Sequence, residues 1–281
     1  MTIGAALREA TQFLRSIDPQ EASFEARLMV AHLLKTSAPA LAAMRENPWP
    51  AELNEQFERM LQRRRSREPL QYILGEWSFM GLPMSVRPGV LIPRADTEIV
   101  AERAVHLIRT RGYRDVLDVC AGSGCIGVSL ARLTGVRVVS VDIHPDCCAL
   151  TRENASQNGV CVDVRRGDLF VPLRGEERFD LIVSNPPYLT AADLAHLQPE
   201  VAFEPRLALD GGEDGLLFYR RIAAGFKPHL RKDGALLLEI GCEQGASVSA
   251  MFENAEILYD YEQRPRAIQI ENTNSDWKDK R

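Results

Sequence analysis

The sequence predicts an α/β protein in which a small helical N-terminal domain precedes a mostly parallel sheet of about seven strands. Three observations support this fold class. Apolar residues recur at helical spacing near the N-terminus, strand-like and helix-like segments alternate through the rest of the chain, and 45% of the 281 residues are hydrophobic, which is enough for a sizeable core. The composition excludes disordered, collagen-like and disulfide-scaffold classes.

Residues 1–67 predict a small helical bundle. Ile3, Leu7 and Leu14 align on one face of a helix that ends before Asp18-Pro19. Further helical patterns cover Phe24 to Ala31, a short segment at Leu41 and Met44, and Leu53 to Leu61. We interpret the arginine-rich run at 63–67 as a solvated helix end, with contact to an acidic partner as the alternative.

Residues 68–93 predict a linker that contains a hairpin, because two short alternating runs flank Met80-Gly81. Residues 94–281 then alternate strands and helices, which predicts a parallel sheet covered by helices. The expected strands are 116–119, 136–141, 162–166, 179–184, 235–240, 256–261 and an antiparallel 267–271, and the expected helices are 124–133, 145–158, 214–227 and 243–253. The polar tail after Asn272 is expected to fray.

Composition also limits the partners and the compartment. The net charge of −5 disfavours nucleic acid as the main partner. The six cysteines form no Cys-x-x-Cys pair and no zinc-type cluster, so we expect no metal site. No window approaches the roughly 20 apolar residues of a membrane span, and no apolar leader is visible at the N-terminus. We therefore expect a cytoplasmic protein with reduced thiols and no membrane association.

A candidate nucleotide site lies where the first parallel strand gives way to a helix. The segment Asp118-Val119-Cys120-Ala121-Gly122-Ser123-Gly124 occupies the position at which open sheets of this type bind ligands. Asp142 ends the next strand and could accept hydrogen bonds from both ribose hydroxyls, and Asp168 and Leu169 could contact an adenine. A plain tight turn at the glycines and a helix cap at Asp142 remain the alternatives.

The same loop matches a competing pattern. Residues 122–127 satisfy the dinucleotide fingerprint G-x-G-x-x-G, in which glycines bring the backbone close to a pyrophosphate. A nicotinamide-dependent oxidoreductase is therefore a rival hypothesis that the glycine loop alone does not exclude.

The strongest motif is Asn185-Pro186-Pro187-Tyr188, directly after a predicted buried strand. The two prolines fix the backbone and remove two N–H donors, which leaves carbonyl acceptors beside an amide and an aromatic ring. If the Asn185 side-chain oxygen and the Pro186 carbonyl each accept one N–H of a substrate NH₂, the nitrogen lone pair can be directed at an electrophilic methyl group. We predict that Asn185, Pro186 and Tyr188 are catalytic and that the four residues bind substrate. A strand-terminating turn is the alternative.

The chain resembles the HemK/PrmC family of bacterial release-factor glutamine methyltransferases over most of its length. The matching segments are 68–75, 79–82, 88–94 with Thr97-Glu98, 122–126, 185–188, 203–205, 208–209 and 211–212. The resemblance implies a helical substrate-recognition domain and a seven-stranded Rossmann-like methyltransferase domain. It also implies S-adenosyl-L-methionine as cofactor and, as substrate, the glutamine of the Gly-Gly-Gln motif in class I release factors.

By this resemblance the 120–124 loop and Asp142 contact the cofactor, Asp168 and Leu169 lie near its adenine, and residues 185–188 hold the glutamine. We also predict that Asp118 and Asn185 bind the cofactor. Two departures stand out: Cys120-Ala121 replaces the usual Gly-Thr, and Ala95-Asp96 replaces the usual Pro-Glu. Because a residue with a Cβ avoids positive φ, we expect Cys120 to alter the loop somewhat while cofactor binding is kept.

Three other functions stay open at this point. Methylation of an adenine amino group in RNA or DNA uses the same acceptor geometry, but no segment shows the long basic surface that a nucleic acid needs. A nicotinamide-dependent oxidoreductase leaves residues 185–188 unexplained. A non-catalytic adaptor that binds release factors would need no intact cofactor loop. A monomer is expected.

Overall fold

The computed structural model describes residues 1–272, so the tail that is predicted to fray lies outside the described residues. The chain divides into two compact units, which are described separately. A helical unit comprises residues 1–75 and 198–203, and a sheet unit comprises residues 76–197 and the chain from 204 onward. The first division falls within the segment predicted as a linker. No pattern in the sequence places residues 198–203 with the helical unit.

The helical unit is built on amphipathic helices that enclose a small apolar core. The Thr2 hydroxyl caps the first helix by accepting the Ala5 N–H at 3.2 Å. The second helix buries Ala26 and Met29 but leaves 44% of Phe24 exposed, so the predicted apolar face of this helix is wrong at Phe24. The helices are α1 (Ile3–Leu14), α2 (Ala22–Leu33), α3 (Asn54–Arg65) and α4 (Leu70–Leu74), with 3₁₀ turns at Pro39–Ala42, Ala51–Leu53 and Val201–Phe203.

The arginine-rich run at the end of α3 is solvated only in part. Arg64 is buried, and its Nε donates to both carboxylate oxygens of Glu25 at 3.0 and 2.9 Å while its Nη1 donates to Glu200 at 2.9 Å. Arg67 also binds Glu200, at 2.8 Å, and Arg63 binds Glu68. Both interpretations made from the sequence are therefore wrong for Arg64, which is buried against internal carboxylates, whereas Arg63 and Arg65 are exposed, as a solvated helix end predicts.

The sheet unit begins with the predicted hairpin, whose turn residues Met80 and Gly81 both have positive φ. Phe79 and Met84 are fully buried in its core. The strands are β1 (Glu76–Phe79), β2 (Leu82–Ser85), β3 (Asp115–Val119), β4 (Arg137–Asp142), β5 (Val162–Arg166), β6 (Phe179–Ser184), β7 (Leu230–Glu239), β8 (Ala255–Tyr259) and β9 (Pro265–Glu271).

The helices of the sheet unit include two that the sequence analysis missed, α5 and the one-turn α8. The helices are α5 (Ala95–Arg111), α6 (Cys125–Thr134), α7 (Pro145–Gln157), α8 (Ala191–Leu194), α9 (Leu217–Gly225) and α10 (Gly245–Ser249), with 3₁₀ turns at Arg206–Ala208 and Lys227–His229. Helix α5 escaped prediction because its apolar residues Val100, Ala104 and Ile108 are mixed with charged ones. No helix within residues 1–272 is long and apolar enough to span a membrane.

The seven-stranded sheet has the order β5-β4-β3-β6-β7-β9-β8, and β9 runs antiparallel to both of its neighbours. The prediction of about seven strands with an antiparallel last strand is confirmed. The strands β3, β4, β6 and β7 are parallel, so their carboxyl ends lie at one edge of the sheet. Apolar residues cover both faces, as a parallel sheet requires.

We predict that Arg64→Leu destabilises the helical unit by about 3–5 kcal/mol, because it leaves the Glu25 carboxylate buried without its partner. Urea denaturation, with hydrogen exchange of the α2 and α3 amides, measures the loss. The exposed Arg65→Ala provides the control and should change stability by less than about 0.5 kcal/mol. Adding Glu25→Leu to Arg64→Leu should recover much of the loss. If the single variant matched Arg65→Ala, the ion pair would contribute nothing.

Candidate active site

The loop between β3 and α6 adopts a conformation that depends on positive φ. Gly122 and Gly124 have φ of 57° and 77°, and a Cβ on Gly124 would lie 2.6 Å from Cγ2 of Thr151. Cys120 has φ of 59°, so it adopts the positive φ that a residue with a Cβ ordinarily avoids. A non-glycine residue here costs roughly 1–2 kcal/mol, which the surrounding packing must offset.

Asp118, at the end of β3, connects this strand to the start of α6 and to β4. Its side chain is buried, and Oδ2 accepts the Gly127 N–H at 3.1 Å and faces the Ser140 hydroxyl at 3.4 Å. No described residue forms a hydrogen bond to its Oδ1. Burial raises the pKa of Asp118 to about 7. A Cβ on Gly127 would lie 2.8 Å from this carboxylate, so the last glycine of the fingerprint is needed for close packing of α6 on the sheet.

Asp142 connects the loop to the next strand. Its Oδ2 accepts the Gly122 N–H at 2.9 Å and its Oδ1 accepts the His144 N–H at 2.8 Å. The capping role that the sequence left open therefore exists. A carboxylate offers about four acceptor positions, so capacity for two ribose hydroxyls remains. Asp142 fixes the loop conformation and also faces the cavity that the loop borders.

A cavity of about 470 Å³ lies at the carboxyl edge of the sheet. Seven residues that the sequence predicted for the site line it: Cys120, Gly122, Asp142, Asp168, Leu169, Asn185 and Pro187. The predicted residues Asp118, Ala121, Ser123, Gly124, Pro186 and Tyr188 lie outside its lining. Lining residues that the sequence analysis did not name as site residues are Gly89, Leu91, Val141, Ile143, His144, Cys147, Gly167, Pro205, Arg206, Leu207, Ala208, Phe218 and Arg221.

Asp168 has a partner that sequence reasoning missed. The Nη2 of Arg221, on α9, donates to Asp168 Oδ2 at 2.6 Å, and its guanidinium lies 5.6 Å from the centre of the Phe218 ring. Asp168 can therefore offer its other oxygen to a ligand in the cavity. The sequence contains no local signal for this pair, because Arg221 is one of two adjacent arginines on a helix far along the chain.

Asn185 follows β6 and has a defined orientation. Its Nδ2 donates to Oγ1 of Thr97 at 3.1 Å. Within residues 1–272, no donor contacts its Oδ1, so the amide oxygen is free to accept. Tyr188, three residues on, is largely buried, and burial raises its pKa well above the ordinary range. The Tyr188 carbonyl accepts from Nε2 of Gln244 at 2.9 Å, which fixes the backbone after the two prolines.

Two segments that carry the family resemblance meet at one buried carboxylate. Glu204 accepts the Ile92 N–H at 2.9 Å and forms an ion pair with Arg94. Burial raises the pKa of Glu204, against the opposing effect of Arg94. The pair holds the 88–94 segment beside the residues 205–208 that line the cavity.

Comparison with protein-family models gives two matches. Residues 5–75 match the PrmC N-terminal domain, and residues 99–201 match the methyltransferase small domain. A release factor glutamine methyltransferase of Moorella thermoacetica is 38% identical over 277 residues, which cover 95% of this chain and 98% of that protein. The chain belongs to the release factor glutamine methyltransferase family. A relative of the same name from Geobacter sulfurreducens is 50% identical over 195 residues, which cover 69% of this chain and 68% of that protein.

Solved structures support the fold. A methyltransferase from Pyrococcus furiosus has a TM-score of 0.51 at 14% identity and covers 79% of this chain and 99% of its own. A Thermus thermophilus 16S rRNA methyltransferase, in complex with AdoMet and guanosine, has a TM-score of 0.52 at 21% identity and covers 70% and 49%. The Rossmann-like methyltransferase fold is confirmed. Membership of the family does not favour the oxidoreductase or the adenine methyltransferase.

Proposed function

We propose that this chain transfers a methyl group from S-adenosyl-L-methionine to the side-chain amide nitrogen of the glutamine in the Gly-Gly-Gln motif of class I release factors. The observation that carries the proposal is the free Oδ1 of Asn185 in the wall of the cavity that Asp142 also lines. We expect the enzyme to act as a cytoplasmic monomer without direct contact to nucleic acid.

The residues of the cavity fit the cofactor. S-Adenosyl-L-methionine supplies an electrophilic methyl group on a sulfonium. Asp142 would hold the ribose hydroxyls, and Asp168 with Leu169 would hold the adenine. The positive φ of Gly122 bends the loop so that its backbone borders the cavity. A sulfonium carries positive charge and no phosphate. The cavity wall includes the Asp142 carboxylate, which forms no ion pair among the described residues, whereas Arg221 pairs with the second carboxylate, Asp168.

The reaction needs the substrate amide to be held rather than deprotonated first. An amide nitrogen is planar and weakly nucleophilic because its lone pair is delocalised. Acceptance of its two hydrogens by Asn185 Oδ1 and the Pro186 carbonyl would pin the nitrogen and direct its lone pair toward the methyl group. The nitrogen becomes acidic once the methyl group is attached, so its proton leaves afterwards without a strong base.

The helical unit offers a surface for the rest of the release factor. A groove on this unit is lined by four exposed arginines, Arg8, Arg15, Arg27 and Arg45. None of them forms an ion pair within the part of the chain that the structure describes. Three residues of a Gly-Gly-Gln motif are too few for a protein-sized interface, so we assign recognition of an acidic surface of the factor to this groove. We prefer this groove to the 63–67 run, in which Arg63, Arg64 and Arg67 are paired with carboxylates of the helical unit.

We predict that Asp142→Ala weakens binding of S-adenosyl-L-methionine by about 2–4 kcal/mol, because two hydrogen bonds to a charged acceptor are lost. Isothermal titration calorimetry measures the dissociation constant. Asp146→Ala, an exposed carboxylate on the following helix, provides the control and should bind normally. An unchanged dissociation constant for Asp142→Ala would restrict this residue to its capping role. Binding of NADH in place of the methyl donor would contradict the proposed activity.

We predict that Asn185→Ala lowers the single-turnover rate by roughly 100-fold or more, because it removes one preorganised acceptor from the reacting nitrogen. Cofactor affinity should stay nearly intact. The measurement is transfer of labelled methyl to a saturating release factor, with mass spectrometry of the Gly-Gly-Gln glutamine. A near-normal rate would contradict amide activation by Asn185, whereas absence of the modified glutamine with the unaltered enzyme would contradict the proposed function itself.

We predict that the double variant Arg15→Ala/Arg27→Ala lowers kcat/KM on intact release factor by about tenfold, which corresponds to about 1.4 kcal/mol. Turnover of a short Gly-Gly-Gln peptide should not change, because the peptide carries no acidic surface for the arginines of the groove to bind. Arg65→Ala, an exposed arginine outside the groove, serves as the control. Equal losses on factor and peptide would show that the groove has only a structural role.

A further inference from the structure

Asn185 lies beside a buried carboxylate that the proposed reaction does not use. Ser184 pairs with Leu238 in the parallel β6–β7 register, so the next residues along the two strands, Asn185 and Glu239, are neighbours at the sheet edge. Glu239 is 1% exposed, and its Oε2 has no hydrogen-bond partner among the described residues. A carboxylate buried this deeply is costly, so its retention calls for a role.

Thr97 joins the two side chains. It lies in the first turn of α5 and is buried, and its hydroxyl lowers the pKa of the Glu239 carboxyl, which means that it favours the ionised form. The same oxygen accepts from Asn185 Nδ2 at 3.1 Å. Thr97 therefore interacts with both the buried Glu239 carboxyl and the Asn185 amide in the cavity wall.

The chemistry of the three groups determines which of them donates a proton and which accepts one. An ionised carboxylate only accepts, so a Thr97 hydroxyl that favours this form directs its single proton toward Glu239. The hydroxyl oxygen can then only accept from Asn185, which must present its NH₂ rather than its carbonyl. The amide oxygen is consequently turned away from Thr97. Ordinarily the two ends of an asparagine amide are interchangeable, and here the carboxylate decides between them.

We propose that Thr97 and Glu239 are positioning residues that keep the Asn185 amide oxygen turned toward the substrate nitrogen. The inference rests on the proposed function, because it assigns these two residues to the acceptor that holds the glutamine amide. Neither residue lines the cavity, so both act through Asn185. Such outer partners commonly change function by about 10–100-fold when removed.

The protonation state of Glu239 gives the arrangement a pH dependence. Burial raises its pKa to about 7. A protonated Glu239 carboxyl would donate to the Thr97 oxygen. The Thr97 hydroxyl could then donate to the Asn185 oxygen, so the Asn185 amide would rotate and present its oxygen to Thr97 instead of its NH₂. Activity should therefore rise as pH rises through neutrality. The charged and titratable groups around Glu239 are Arg94 and Arg266, which favour its ionised form, Asp96, which opposes it, and Tyr188, Tyr219 and Cys125, whose own pKa values are raised by burial.

The decisive experiment is a double-variant cycle in the full-length enzyme, with single-turnover methylation of release factor at saturating cofactor. Thr97→Val should lower the rate by about 10–100-fold with little change in KM, and Thr97→Ser, which keeps the hydroxyl, should stay within about threefold of the unaltered enzyme. In an Asn185→Ala background, Thr97→Val should have no further effect, because the residue through which it acts is gone. A full additional loss in that background would overturn the inference.

The pH profile supplies a second measurement. The rate of the unaltered enzyme should rise between pH 6 and 8, and Glu239→Gln, which cannot ionise, should remove this rise. A rise of equal size in Glu239→Gln would overturn the assignment to Glu239. Unfolding temperature and the cofactor dissociation constant of each variant identify a folding defect. If the unaltered enzyme modifies no glutamine, the proposed function fails, whereas normal turnover by Thr97→Val contradicts only the positioning role.

Discussion

The parallel pairing of β3, β6 and β7 is the constraint on which the site depends. Parallel strands in register end at the same edge of the sheet, so the residues that follow them are brought together without any contact between their own segments. Val119 pairs with Ser184, and Ser184 pairs with Leu238. The loop at Cys120, the amide at Asn185 and the carboxyl at Glu239 are consequently neighbours. A shift of one residue in β6 would turn Asn185 to the other face.

The part of the site that the sequence predicts is the part that local chemistry determines. Glycines at a strand–helix junction, a carboxylate twenty residues after Gly122 and two prolines after a buried strand each limit the backbone where they occur. Cys120, Asp142 and Asn185 accordingly reach the cavity as predicted. Cys120 is the exception in conformation, because the packing around a loop can impose positive φ on a residue that would otherwise avoid it.

The part that the sequence does not predict consists of partners that are distant along the chain. Thr97 is 88 residues from Asn185, and Arg221 is 53 residues from Asp168. Arg64 and Glu200 are separated by 136 residues. In the sequence alone, residues 63–67 have the composition of a solvated helix end. Each partner is an ordinary polar residue in its own segment. Only the three-dimensional structure shows which carboxylate meets which donor.

The place of residues 198–203 in the helical unit has a consequence for protein synthesis. The ribosome completes residues 1–75 early, but the Glu200 side chain that Arg64 and Arg67 bind is added only after β3 to β6 of the sheet unit. Of the two carboxylates that bind Arg64, Glu25 and Glu200, only Glu25 is present until then. The nascent helical unit therefore lacks the Glu200 partner of Arg64 and Arg67 until more than a hundred further residues have been synthesised. Folding of the helical unit cannot be complete before most of the sheet unit has been made.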